Sequence, residues 1–202
     1  MTERKLPVDA GLDSMIADAS RGDEAACAAI YYRFVKPLFR LAYGILLNQQ
    51  DAEEVVQDAF SYAFRNLANY DSNLSAFRTW LYTIAISRCR NKKRRKWLPL
   101  LNLSEISNRV EDRGLPPERV AEQRSVRREL MRALRQISPK LREAVVLRYF
   151  DGLSYREMGQ VLACPQKTAE SRVRLAHDAL HSILKGHAGS LLEGILGYDD
   201  AR

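Results

Sequence analysis

The sequence predicts an all-α protein: two small helical domains joined by a flexible linker, the C-terminal one a helix-turn-helix. Three observations point there. Apolar residues recur at three-and-four spacing through most of the chain, the period of a helix with one buried stripe. Sustained period-two alternation and Asn-Gly hairpin signals are missing. Between the two periodic blocks, residues 97–117 lose the pattern and are punctuated by Pro99, Gly114, Pro116 and Pro117. The expected organisation is a flexible segment over 1–14, a helical domain over 15–96, a linker over 97–117, a second helical domain over 118–185 and a tail over 186–202.

In the first domain, Asp23 can cap a helix through Ala25, Ala26, Ala29, Ile30 and Phe34. Pro37 then suits the first turn of another helix, with Leu38, Leu41, Ala42, Ile45 and Leu46. The clearest helix covers 51–67, where Ala52, Val55, Val56, Ala59, Phe60, Ala63, Phe64 and Leu67 form the stripe and Asp51 is the expected N-cap. Its opposite face, Glu53, Glu54, Gln57, Asp58 and Ser61, is acidic. Residues 70–76, YDSNLSA, read as a polar loop. Phe77, Trp80, Leu81, Ile84 and Ala85 open the next helix, whose other face offers Arg78, Thr79, Tyr82, Thr83 and Arg90.

That helix runs into the sequence RCRNKKRRK at 88–96. The chain has 32 basic and 25 acidic side chains, and seven of the basic ones lie in this block with no acid among them. The block therefore equals the whole net charge of +7, a footprint for phosphate groups. Basic residues also suit a helix C-terminus, so part of the block has a structural use.

In the second domain, Val120, Val126, Leu130, Ala133, Leu134 and Ile137 give a helix over 118–136. Ser138-Pro139 opens another, ended by Asp151-Gly152, and Ser154 with Glu157 forms a capping box for a short one through Leu162. Cys164-Pro165 restarts a helix through Ala169, Val173, Ala176 and Leu180. Two helices with a two-residue turn match helix-turn-helix spacing, whose second helix enters the major groove. Its outward residues, Gln166, Lys167, Thr168, Glu170, Ser171, Arg172 and Arg174, can bond base edges or phosphates.

Other classes find little support. No apolar run reaches the roughly 20 residues of a membrane span, and the N-terminus has no apolar signal region. Three cysteines without C-x-x-C spacing fit reduced thiols in a cytoplasmic protein. Phosphate-binding loops, nucleophile elbows and zinc-protease motifs are missing, so no catalytic residue, cofactor or metal site is expected. His177 and His181 share a helix face but find no third ligand.

Taken together, D-A-E-E-V-V-Q-D-A-F at 51–60, F-R-T-W-L-Y-T-I-A at 77–85 and L-S-Y-R-E-M-G with C-P-Q-K-T-A-E-S-R-V over 153–173 resemble the bacterial extracytoplasmic-function sigma factors of the sigma-70 superfamily. The resemblance covers about residues 15–185. It implies a subunit that binds core RNA polymerase (β′ coiled coil and β flap) and promoter DNA, aids melting, and answers to an anti-sigma factor. By resemblance, Glu53, Glu54, Gln57 and Asp58 dock on polymerase. Asp71, Ser72, Asn73 and Ser75 pocket a base flipped from the −10 element, while Arg78, Tyr82, Arg90, Lys92 and Lys93 hold −10 DNA. The helix-turn-helix reads the −35 element. The chain departs from the family pattern at Ser87, where Asn is usual. In the recognition helix, Lys167, Glu170, Leu175 and His177 replace Gly, Lys, Arg and Arg. A stand-alone helix-turn-helix regulator is the alternative; it leaves the acidic face of 51–67 without a purpose.

Overall fold

The computed structural model describes residues 11–97 and 128–184, with side chains of the first stretch through 95. Every regular element among them is helical. Of the expected linker only Trp97 is described, as the last residue of a helix; residues 98–127, the first ten residues of the chain and the tail lie outside the described residues.

Helix α1 (Leu12–Ser20) buries Leu12, Ile16 and Ala19 against α2. It was not among the expected elements, and it begins inside the segment expected to be flexible. The three buried positions fall on one helical face, but nine residues give too short a pattern to stand out. Helix α2 (Glu24–Leu46) starts at Asp23, whose carboxylate accepts from the amides of Ala25 and Ala26. It passes straight through Pro37, correcting the expectation of two helices. An interior proline costs about 3 kcal/mol. The continuous stripe of Ile30, Phe34, Leu38, Leu41 and Ile45, each buried, offsets that cost.

Helix α3 (Gln49–Arg65) is capped by Asn48, whose side chain accepts from the Asp51 amide. The helix therefore begins a turn earlier than the Asp51 cap expected from the sequence, and Asp51 is buried in its first turn. A 3-10 turn (Leu67–Asn69) leads into the loop, and α4 (Phe77–Trp97) completes the N-terminal unit by packing on α2 and α3.

The C-terminal unit begins with α5 (128–136), followed by α6 (Pro139–Tyr149), α7 (Tyr155–Leu162) and α8 (Gln166–Leu184). Ser138 caps α6, and both halves of the Ser154–Glu157 capping box are formed. The α7–α8 turn is tight: a Cβ on Gly159 would lie 2.8 Å from the Cys164 carbonyl, so only glycine fits. Arg142, buried on α6, donates to the carbonyls of Leu134, Arg135 and Ile137 at the end of α5. Those are acceptors that a helix C-terminus cannot satisfy by itself.

The two units pack on one another, α2 against α6 and α4 against α7. Gly44 marks the closest approach, where an added Cβ would stand 3.0 Å from the side chains of Val146 and Phe150. The last turn of α2 holds no basic residue of its own. Its carbonyls at Ile45 and Leu47 accept instead from Arg142 and Arg135 of the other unit.

Candidate nucleic-acid and protein interfaces

On α3, the apolar stripe turns Val55, Val56, Ala59 and Phe60 inward and leaves Glu53, Glu54, Gln57 and Asp58 all exposed. Gln49 donates to the Glu53 carboxylate at 2.9 Å. Glu54 is bridged by Lys92, which also lies 3.7 Å from Asp51. The acidic face is thus intact as a surface, with one member tethered to α4.

The loop after α3 is built on an aromatic base. Tyr70 packs edge-on against Phe77 at 5.3 Å and against Trp80, and its hydroxyl donates to the Ser75 carbonyl. That closes the loop into a hoop whose crest holds Asp71, Ser72 and Asn73, all exposed, with Ser75 half-buried. Asp71 accepts from the Asn73 amide and from its side-chain nitrogen, an Asx turn that fixes both side chains. Leu74 stands 75% exposed at the crest, a position the sequence reading passed over. Polar groups ringing an exposed apolar side chain suit an unstacked base, which offers an edge and a face.

Helix α4 departs from the expected exposed face. Thr79 and Tyr82 are buried, because the C-terminal unit covers them. The Tyr82 hydroxyl donates to Asp151 at 3.0 Å. Burial, and then the neighbouring Asp151 carboxylate, pushes the Tyr82 phenol far above its usual range. Arg78 pairs with Glu157 at 3.0 Å and also donates to the Asp151 carbonyl. Arg90 makes a two-pronged pair with Glu143, whose side chain is only 5% exposed. Arg40, on α2, lies 3.8 Å from Asp151. Three of the residues assigned to −10 DNA are therefore engaged by carboxylates of the other unit.

The basic block divides in the same way. Arg88 lies over the Tyr62 ring at 4.7 Å, and Lys92 is held by Glu54 and Asp51. The Lys93 nitrogen is buried with no hydrogen-bond partner among the described residues. Burial, and then Arg142 beside it, lowers its pKa. Arg94 and Arg95 are exposed, the open charges of the block within the described side chains.

The helix-turn-helix presents α8 outward. Gln166, Lys167, Glu170 and Arg174 are exposed, while Thr168, Ser171 and Arg172 are half-buried. Arg172 donates toward the Cys164 sulfur at 3.7 Å. Leu175, 47% exposed beside Arg174, adds an apolar contact suited to a thymine methyl. His177 and His181 stack at 6.3 Å, and no group of three metal-binding side chains exists among the described residues. No helix among the described residues is long and apolar enough to cross a membrane.

Residues 30–98 match the family model described as Sigma-70 region 2, and residues 127–180 match Sigma-70, region 4. The chain is 31% identical over 179 residues to the ECF RNA polymerase sigma factor SigW of Bacillus subtilis, covering 84% of this chain and 95% of that relative. It is 30% identical over 179 residues to the RNA polymerase sigma-H factor of Pseudomonas aeruginosa, covering 85% and 92%. The solved structure of CnrH in complex with the cytosolic domain of CnrY shares the fold, with a TM-score of 0.64 at 24% identity over 86% of this chain and 96% of that one. With the two regions in order, and relatives matched along nearly their whole length, the chain belongs to the extracytoplasmic-function sigma factors of the sigma-70 family.

Proposed function

We propose that this chain confers promoter specificity on core RNA polymerase, with α3 docking on the enzyme, the 70–76 loop and α4 engaging the −10 element, and α8 reading the −35 element. The observation that carries the reading is the pairing, in one chain, of an exposed carboxylate face on α3 with a helix-turn-helix whose recognition helix is open to DNA. A stand-alone regulator has no use for the first. Glu53, Glu54, Gln57 and Asp58 offer a surface complementary to basic side chains of the polymerase. Asp71, Ser72, Asn73 and Ser75 hydrogen-bond the edge of the flipped base. Arg78, Tyr82, Arg90, Lys92 and Lys93 track the −10 backbone, joined by Arg94 and Arg95. On α8, Gln166, Lys167, Thr168, Glu170, Ser171, Arg172 and Arg174 face the major groove.

The chain performs no covalent chemistry of its own and works in the cytoplasm, where its polymerase and promoter partners are. SigW and the sigma-H factor are named for the same role. The solved relative bound to the cytosolic domain of CnrY, and that of RpoE bound to the anti-sigma factor NepR from Bartonella quintana, support an anti-sigma partner for this chain as well.

The test is the triple variant Glu53→Lys, Glu54→Lys and Asp58→Lys. All three positions are exposed, so the fold should survive with stability within about 1 kcal/mol of the parent. Polymerase binding should fall at least about 100-fold, the equivalent of some 2.7 kcal/mol for reversed charges at an interface. Undiminished binding would remove α3 from the docking surface.

A further inference from the structure

We propose that His177, His181 and His187 bind a divalent first-row metal, zinc as the reference ion, at the end of the recognition helix. His177 and His181 find no third ligand among the described residues. His187, in the chain beyond α8, supplies one that the sequence reading passed over.

All three histidines of the chain fall between 177 and 187, as H-x3-H-x5-H. One large class of zinc proteins presents three imidazoles at this spacing, two from one helical face and a third beyond a glycine. Gly186 stands between the second and third histidines here. Only the ligand spacing is shared. Imidazole nitrogens suit zinc, copper and nickel, and three of them leave a tetrahedral ion one open position.

The helical part of the site is in place. His177 and His181 lie one turn apart on α8, half-buried and exposed respectively, with ring centroids 6.3 Å apart and planes 13° from parallel. Zinc takes imidazole nitrogens at about 2.0–2.1 Å. Rotation of the exposed His181 side chain brings one nitrogen from each ring onto a shared ion. Asp178, also exposed, precedes His181 by three residues and so neighbours it on the helix surface. Its carboxylate can accept from the ring N–H that a ligating histidine keeps. Helix α8 ends at Leu184, three residues before His187. On a continued helix His187 would stand about 100° around from the pair. Glycine at 186 is the residue type with which a chain turns back after a helix.

The site lies one turn beyond Arg174, on the helix assigned above to −35 DNA. The consequence for DNA, unlike the site itself, rests on that assignment. Helix α8 carries Lys167, Arg172 and Arg174 against Glu170 and Asp178, a net charge of only +1. His177 stands where the family pattern has arginine. A bound divalent ion adds two charges at that point and draws phosphate towards it.

The test uses the full-length chain without an affinity tag, titrated with zinc in competition with a chromophoric chelator. Saturable binding of one ion per chain is expected. His181→Gln and His187→Gln should each weaken it at least about tenfold with unchanged far-ultraviolet circular dichroism, since changes even outside a metal's ligands cost about 10–100-fold. Cobalt(II) in place of zinc should give a tetrahedral visible spectrum without a thiolate charge-transfer band. Zinc affinity unmoved by His187→Gln would overturn the proposal. So would a thiolate band, which places the ion on the cysteines. Zinc should also tighten binding of the parent chain to a mixed-sequence duplex at least about fivefold, and do nothing for His187→Gln. Zinc held by the three histidines with no change in duplex affinity would uphold the metal site and count against α8 as the DNA-reading helix.

Discussion

Arg142 offers the sharpest test of how the C-terminal unit is held. The residue is 8% exposed, and its guanidinium donates to four carbonyls: Leu134 at 2.6 Å, Ile45 at 3.1 Å, and Arg135 and Ile137 at 3.2 Å each. Replacing it by methionine keeps most of the packing volume and removes every donor. A hydrogen bond to a charged group contributes roughly 1.5–3 kcal/mol, and a buried carbonyl left unpaired costs about 1–3. The four do not add, since removing one side chain also removes the cost of burying its charge, which already lowers its pKa. A net loss of about 3–5 kcal/mol follows, most of it at the α5–α6 corner. Urea denaturation followed by circular dichroism would measure the total, and hydrogen exchange would show protection lost first over 128–150. Lysine at this position should recover less than half, because it lacks the planar fork. A variant within about 1 kcal/mol of the parent would refute the reasoning and mean that water already serves those carbonyls.

Other expectations follow from the same geometry. Arg94→Gln with Arg95→Gln should weaken DNA binding almost equally across sequences and flatten its salt dependence by roughly 1.5 units in the log–log slope; a sequence-selective loss would mean that these side chains read bases. Burial, and then nearby Glu143, pushes the Cys89 thiol up to about 12, so iodoacetamide at neutral pH should label Cys27 and Cys164 well before Cys89. Mass spectrometry of the labelled peptides decides it. Ser154→Ala removes half of the capping box and should cost about 1 kcal/mol, read as a lower midpoint for the helix-turn-helix. Burial pushes the Glu157 carboxyl up, but hydrogen bonds from Ser154 and Arg78 outweigh it and leave the pKa below the usual value of 4.5. Its contribution is therefore complete above that value and lost as pH falls through the depressed one. Glu157→Gln should flatten this part of an acid-unfolding curve, and an unchanged curve would contradict the pairing.

What the sequence made legible was local. The stripe of α3, the capping box at Ser154, the loop before Phe77 and the two-helix turn around Cys164 each depend on residues within a few positions of one another. The structure agrees with each of them. Pro37 misled because propensity argues one residue at a time, whereas the buried stripe of Ile30 to Ile45 acts over the whole helix. Asp51 looked like the cap because acids favour first turns; Asn48 takes the cap, and Asp51 lies within reach of Lys92 instead. The largest gap was on α4. Periodicity shows that Tyr82 and Arg90 share a face but not what covers it, and their partners Asp151 and Glu143 are 69 and 53 residues away in the chain. No pattern of spacing encodes such a pairing. The same holds for Gly44, whose small size matters only because Val146 and Phe150 lie against it.

The central claim is that this chain works as the specificity subunit of RNA polymerase. Its most direct test is to mix the purified chain with bacterial core polymerase, measure binding, and sequence the transcripts made from a genomic promoter library. Stable binding with discrete new start sites, sharing one −10 word and one −35 word, is the predicted result. DNA binding without polymerase binding, or polymerase binding without new start sites, would contradict it.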